Sequence, residues 1–412
     1  MDESRGPLST ERNKRLIANR TSGGANQARL RAHNERLILS IIRRHARIAR
    51  SQLAQRLDLT PQAVSAIIRN LESDGLLLRG EPKRGQVGQP SIPMSLNPDG
   101  AYSLGLNIGR RRADLILMNF TGQEMEALHQ IYPFPQPDRI LDFVHRGINI
   151  LHDKLSQDQQ QRVAGIGIAM PFQLWNWTEN VGAPAGKMEA WRNFDILAAL
   201  KRFTGLPVSV ENDATSACSA ELAFGRGSEF SDYIYFFIGS FIGGGVVLNH
   251  AIYRGRSGNA GSIGPMPVVG TGGATTQLIE HASIYVLENR LRRKGMDPSP
   301  LWLSLHDWSA FDDLVSSWII EVSRNLALAI VASCSIIDFS AAIIDGSFPE
   351  DVRQRIVEAT GNELVKLDLQ GIAPPKIVAG KTGSNARVIG SASLPLFARY
   401  FLEKNTLFTG LS

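Results

Sequence analysis

Residues 50–75 read RSQLAQRLDLTPQAVSAIIRNLESDG, and the punctuation inside that run sets the architecture at the front of the chain. Arg50–Leu57 predicts a short helix and Asp58-Leu59 a turn. Thr60-Pro61 then starts a new helix: the hydroxyl caps free amides, and the proline sits in the first turn, where its missing N–H costs nothing. Val64, Ile67, Ile68 and Leu71 fall at i, i+3, i+4 and i+7, so one face of this helix is buried. Gly75 ends it. Upstream, Leu30, Leu37, Ile38, Ile41 and Ile42 have helical spacing and predict an earlier helix ending near His45. Downstream, 76–79 and 92–96 are expected to pair as two strands around a loop of Gly, Lys, Arg and Gln. Three helices followed by a hairpin is the order of a winged helix-turn-helix, mostly α with a β-hairpin wing. It is placed at residues 26–97, behind a mobile basic tail at 1–25.

The face opposite the buried stripe carries Gln62, Ala63, Ser65, Ala66 and Arg69. Glutamine and arginine make bidentate contacts with adenine and guanine edges, and small Ala or Ser side chains let a helix sit deep in the major groove. Thr60, at the head of the same helix, is grouped with them. Arg50 is placed to reach a phosphate, and Lys83, Arg84 and Gln89 on the wing to contact the backbone or minor groove. The competing reading is a small helical subdomain with a polar exterior. Charge favours double-stranded DNA as the partner. Residues 1–97 carry 17 basic and 8 acidic side chains, about +9, whereas the remainder is about −4.

At 412 residues the chain is long enough for two or three domains, and 43% hydrophobic with 20% charged residues is a globular balance. Cys218 and Cys334 are far apart, which excludes a disulfide framework and a thiolate metal site and fits a reducing compartment. No apolar segment opens the sequence, so no secretory signal is expected. The longest apolar run, 326–337, is too short to span a bilayer and reads as a buried helix running into a strand. The expectation is a cytoplasmic protein with no membrane partner.

Asn97-Pro98-Asp99-Gly100 is a turn-rich junction, and residues 98–412 have a different character. Two apolar runs within 104–119 are split by Gly109-Arg110-Arg111-Arg112, and a buried strand over 162–169 leads to Pro171. Tyr233–Ile238 and 246–248 flank a glycine-rich turn. Strands alternating with long helical patterns predict an α/β domain. The similar units near 104–118 and 234–248 suggest duplicated halves.

The whole chain resembles the ROK family, which groups sugar-responsive repressors with sugar kinases. Residues 50–65 are similar to the repressor branch, and Gly88-Gln89-Pro90 looks like its Gly-Arg-Pro wing motif with Gln in place of Arg. Over roughly 98–400 the resemblance rests on Glu211-Asn212-Asp213, the small-residue helix 214–224, Gly239-Ser240-Phe241-Ile242-Gly243-Gly244-Gly245, Arg254-Gly255 and Gly258-Asn259-Ala260-Gly261. It implies an actin-like, sugar-kinase-like two-lobed domain with a carbohydrate or polyol in the cleft near Asn212, Asp213, Gly244 and Asn259. Asp213 has the position of the kinase base. The bland reading is that Asn212 and Asp213 only cap the following helix.

The departures fall on the chemistry. The first phosphate loop of the family, Asp-x-Gly-Gly-Thr, is here Asn107-Ile108-Gly109-Arg110-Arg111; Phe241 replaces a Gly of the second loop; the adenosine-side Gly-Gly is Asp345-Gly346. Side chains stand where a bare backbone approaches phosphate. Arg110 and Arg111 read as solvated surface arginines, with a new anion site as the alternative. The zinc motif is missing from 264–273, and His281 alone reads as packing or surface rather than ligand. The sugar-contacting Glu and His are replaced across Gly261-Ser262-Ile263-Gly264-Pro265, the later family Glu by Ile279, and the Gly after Pro171 by Phe172.

The expectation is therefore no catalysis, no cofactor and no metal. The chain reads as a homodimeric regulator, a repressor, on a palindromic operator, controlled by a carbohydrate-like effector. The alternatives are an active sugar kinase and an effector-independent DNA-binding dimer.

Overall fold

The computed structural model describes residues 29–402 apart from 58, 83–91, 173, 178–185 and 271–272. The expected basic tail and the wing residues Lys83, Arg84 and Gln89 lie outside the described residues. Two compact units divide the chain: the first runs to Gly100 and takes in Ala398–Leu402, and the second starts at Ala101 and runs to Phe397.

In the first unit, helix α1 spans 29–45 and buries Ile38, Leu39 and Ile42. Strand β1 (Ile48–Ala49), α2 (Arg50–Leu57), α3 (Pro61–Ser73), β2 (Leu77–Arg79) and β3 (Pro93–Leu96) follow. The expected hairpin is present, with Leu77 opposite Leu96 and Arg79 opposite Met94. A third strand, unmarked in the sequence, joins it: β1 pairs with β3 through Ile48–Met94 and Ala49–Pro93. Two residues are too few to show a period, so no pattern announces β1. The end of the last helix completes this unit. Arg36 Nε donates to Phe401 O at 3.0 Å and Leu402 N donates to Ser40 Oγ at 2.9 Å.

The second unit has two lobes built on sheets of the same plan. The first holds β4 (Tyr102–Ile108), β5 (Arg112–Asn119), β6 (Glu124–Ile131), β7 (Val163–Ala169) and β8 (Val208–Glu211), in the spatial order β6-β5-β4-β7-β8. The second holds β9 (Tyr233–Ile238), β10 (Ile242–Leu248), β11 (Ala251–Tyr253), β14 (Ala341–Gly346) and β15 (Lys376–Ala379), in the order β11-β10-β9-β14-β15. In each, an antiparallel meander of three strands continues into two parallel ones. The shared order bears out the duplication read from the sequence. Strands β12 (Pro267–Val269) and β13 (Thr275–Gln277) form a separate ribbon.

Helix α4 (Pro137–His152) buries Ile140, Val144 and Leu151 in the first lobe's core. On the second lobe, α6 (Ile284–Arg293) and α7 (Asp312–Cys334) cover the face of β9 that carries Ile234, Phe236 and Ile238. The helical stretch Ser309–Cys334 is long and apolar enough to cross a membrane by length and composition. Its Trp318, Val322, Leu326 and Ile330 are instead buried in that core. The other face of β9, with Tyr233, Tyr235 and Phe237, packs against α5 (Asp213–Phe224). Helices α8 (Glu350–Leu364) and α9 (Ala386–Tyr400), the latter as far as Phe397, complete the second unit.

One expectation is corrected here. Gly243, Gly244 and Gly245 do not form a turn; they lie inside β10. A β-carbon at Gly243 would stand 2.7 Å from that of Ala214, and one at Gly245 would stand 2.6 Å from Cys218 Sγ. These glycines let α5 settle directly onto the strand, a tertiary requirement that imitates a turn signal.

Candidate nucleic-acid interface and ligand cavity

Helix α3 is built as the sequence predicts. Thr60 Oγ1 accepts from Ala63 N at 3.2 Å, Pro61 occupies the first turn, and Val64, Ile67, Ile68 and Leu71 are buried. Off that stripe, Gln62, Ala66 and Arg69 are exposed, and Ala63 and Ser65 are partly so. Gly75, at φ 72°, closes the helix. Arg50 is not a free cation. Its guanidinium lies 3.4 Å from Glu72, which also accepts from Arg79 at 2.7 Å. This triad ties the start of α2, the end of α3 and strand β2 together, and leaves two positive charges against one negative.

In the second unit the four expected effector residues line one cavity of about 550 Å³, within the range of about 300–1,000 Å³ usual for small-molecule sites. The chain brings them together from three segments. Asn212 caps α5, its Oδ1 accepting from Ala214 N at 3.0 Å and Thr215 N at 3.3 Å. Asp213 is the first residue of that helix and faces Arg387 Nη1 at 3.4 Å. Gly244 comes from β10, and Asn259 from the loop after β11. Glu211 fixes the spacing of the two loops: Oε1 accepts from Asn212 N at 2.9 Å and Oε2 from Arg254 Nε at 3.1 Å. The capping role of Asn212 is thus real. It occupies one side-chain oxygen while the residue still lines the cavity.

Sequence reasoning missed Arg387, which also lines the cavity. It lies near the start of α9, over the Phe237 ring at 5.1 Å, and nothing in its sequence surroundings marks it. Ile279 and Pro265 line the cavity as well, apolar side chains where the resemblance implies Glu and His.

The phosphate-loop region corrects a second expectation. Arg110 is not a solvated surface arginine: it is 3% exposed. Its Nη1 donates to Glu288 of α6 at 2.7 Å, and its guanidinium lies over the rings of Phe241 and Tyr285, at 5.9 and 5.0 Å. Arg111 and Arg292 pair with the same carboxylate, at 3.4 and 2.7 Å. Burial, with the neighbouring charges of Arg111 and Arg292, holds the Arg110 guanidinium below its ordinary value despite Glu288. At the adenosine-side motif, Asp345 is fully buried. It accepts from Arg353 Nη1 and Gly346 N, both at 2.9 Å, and from Gly383 N at 3.0 Å. Burial and nearby Glu221 push its carboxyl up against the pull of Arg353. Among the described residues no cluster of three or more His, Cys, Asp or Glu is arranged to hold a metal. His281 is a packing residue, bonded to Thr276 and Glu321 at 2.7 Å each.

Residues 103–396 match the model of the ROK family. The chain belongs to that family. Residues 31–77 match a winged helix-turn-helix DNA-binding model, so this member of the ROK family carries a DNA-binding unit ahead of its sugar-kinase-like domain. It is 26% identical over 246 residues to the xylose repressor of Bacillus spizizenii, spanning 59% of this chain and 62% of that repressor. The structure of a ROK family transcriptional regulator, a homologue of the E. coli MLC protein, superposes with a TM-score of 0.63 at 20% identity, covering 90% of this chain and 96% of that one. The kinase side of the family shares the fold: a ROK glucokinase of Streptomyces griseus gives 0.56 at 19% identity, over 71% of this chain and 99% of the glucokinase. The order of a helix-turn-helix and a ROK domain is that of a DNA-binding transcriptional regulator.

Proposed function

We propose that the protein is a sugar-responsive transcriptional repressor, acting in the cytoplasm as a homodimer on a palindromic operator. Its kinase-like domain senses a ligand without transferring phosphate. The observation that carries this reading is the Arg110–Glu288 pair. It fills the place of the first phosphate loop with a guanidinium, beside a ligand cavity that remains open. Phosphoryl transfer needs backbone amides approaching the phosphates and an acid organising magnesium; Asn107 stands where that acid would be, with its Nδ2 3.3 Å from Asp114.

In this reading Gln62 and Arg69 of α3 read base edges in the major groove, with Thr60, Ala63, Ser65 and Ala66 allowing close approach. Arg50, Lys83, Arg84 and Gln89 serve the backbone or minor groove. Asp213 accepts a carbohydrate hydroxyl, while Asn212, Gly244 and Asn259 shape the cavity around it. Ligand binding shifts lobe closure and thereby the spacing of the two recognition helices in the dimer.

Genome-wide mapping of bound sites tests the function. Enrichment of one palindrome beside carbohydrate transport or catabolic genes is expected, and binding with no sequence preference overturns it. A coupled assay tests the loss of chemistry: sugar-dependent ADP release abolished by Asp213→Asn would restore the kinase reading.

A further inference from the structure

Beside the ligand cavity lies a smaller recess of about 70 Å³, lined by Arg110, Arg111, Arg112 and Arg387 with Glu288 and Asp114. Four guanidiniums and two carboxylates line the recess, and Asp213 pairs with Arg387 from the side of the cavity, so three carboxylates leave a smaller surplus of positive charge. Among the described residues, Nε of Arg111 and Nε of Arg387 are buried without a hydrogen-bond acceptor. Buried donors of charged groups are ordinarily satisfied, and leaving one unpaired is costly. Glu288 pairs with Arg110, Arg111 and Arg292 together, and low-dielectric surroundings sharpen the repulsion among the three guanidiniums.

The recess and the cavity are neighbours: Arg110, Ser240 and Arg387 line both. Its volume admits a few waters or one compact group, far less than the several hundred cubic ångströms of a nucleotide-sized site.

We propose that the recess is an anion subsite, receiving the one negatively charged group, phosphate or carboxylate, of a carbohydrate whose hydroxylated body occupies the adjoining cavity. The inference rests on the sugar-sensing reading for the body of the ligand, whereas the anion subsite itself rests on the arginines. An incoming anion offsets the surplus charge and accepts from the guanidinium groups that line the recess. Charge-assisted bonds to planar guanidinium groups are the strongest available for such recognition.

The test uses the full-length protein. Inorganic phosphate, titrated at constant ionic strength and followed by thermal shift, is expected to stabilise the wild type saturably. Arg111→Gln and Arg387→Gln are expected to lose that response, and the exposed-surface control Arg146→Gln to keep it. Arg111→Gln, at a side chain 15% exposed, carries the test if Arg387→Gln does not fold. Calorimetry then compares aldoses with their aldonates and their phosphate esters. The charged member of a pair is expected to bind about tenfold more tightly or better, with the advantage lost in the Arg variants. The aldonate and ester arms tell carboxylate from phosphate.

A phosphate response unchanged in both Arg variants, no phosphate response at all, or equal affinity for charged and neutral sugars overturns the subsite. Equal affinity leaves sugar sensing intact. A phosphate response lost in the Arg variants with no carbohydrate bound keeps the anion site and overturns the sugar-sensing reading.

Discussion

A β-carbon at Gly244 would sit 2.2 Å from the carbonyl oxygen of Tyr235 and 2.7 Å from Ile263 Cδ1. The first neighbour is backbone in the centre of a sheet and cannot step aside. Gly244→Ala is therefore expected to cost about 1–3 kcal/mol, as overpacking does, measurable as a shift in the denaturant midpoint; a neutral result would mean β10 can move away from β9. Asp213 makes a different kind of demand, since only its chemistry changes in Asp213→Asn. Loss of the carboxylate is expected to weaken carbohydrate binding by about tenfold in calorimetry, and an unchanged affinity would remove Asp213 from the ligand's contacts. At this scale the sequence marks Asn212 and Asp213 because they precede a helix of small residues. It leaves Arg387 unmarked and Arg110 misread, because an arginine's burial depends on which distant carboxylate and aromatic rings close over it.

Helix α3 is legible in full, because its cap, first-turn proline and apolar stripe all lie within one run of sequence. Its exposed face supports a prediction about readout. Arg69→Ala is expected to lower affinity for the specific operator by about 1–3 kcal/mol while changing binding to random duplex far less, as read by competition gel shifts; an equal loss on both would make Arg69 a phosphate contact. The end of the same helix supports a prediction about pH. The hydrogen bond from Arg79 holds the Glu72 carboxyl below its usual value of 4.5 against the cost of partial burial, with the charges of Arg79 and Arg50 assisting. A depressed folded-state value means this stabilisation is complete above about pH 4.5 and is lost as pH falls through that lower value. Glu72→Gln is expected to flatten the acid limb of the unit's stability curve below pH 4.5 and leave its neutral plateau lower; an unchanged acid limb would mean the ion pairs add nothing. Strand β10 shows the opposite case, since its glycines satisfy packing by α5 rather than a local turn.

At the scale of the molecule, the Arg110–Glu288 pair joins the β4–β5 hairpin of the first lobe to α6 on the second. Both side chains are almost wholly buried, at 1% and 2% exposure. Removing one partner leaves a buried charge uncompensated, so Glu288→Gln is expected to destabilise the second unit by about 3–5 kcal/mol, seen in thermal unfolding. A cost below 1 kcal/mol would show that the arginines reach solvent when the carboxylate is lost. The amino-acid sequence by itself determined the helix-turn-helix, the α/β character, the repeated strand plan and the segment carrying Asn212 and Asp213. Those depend on spacing, caps and composition within a few turns of chain. Only the tertiary structure decided that the glycines of β10 seat a helix, that Ile48–Ala49 adds a strand, and that Arg110 and Arg387 line the same cavity. Burial and charge pairing there are set by residues more than a hundred positions apart, and no local period records them.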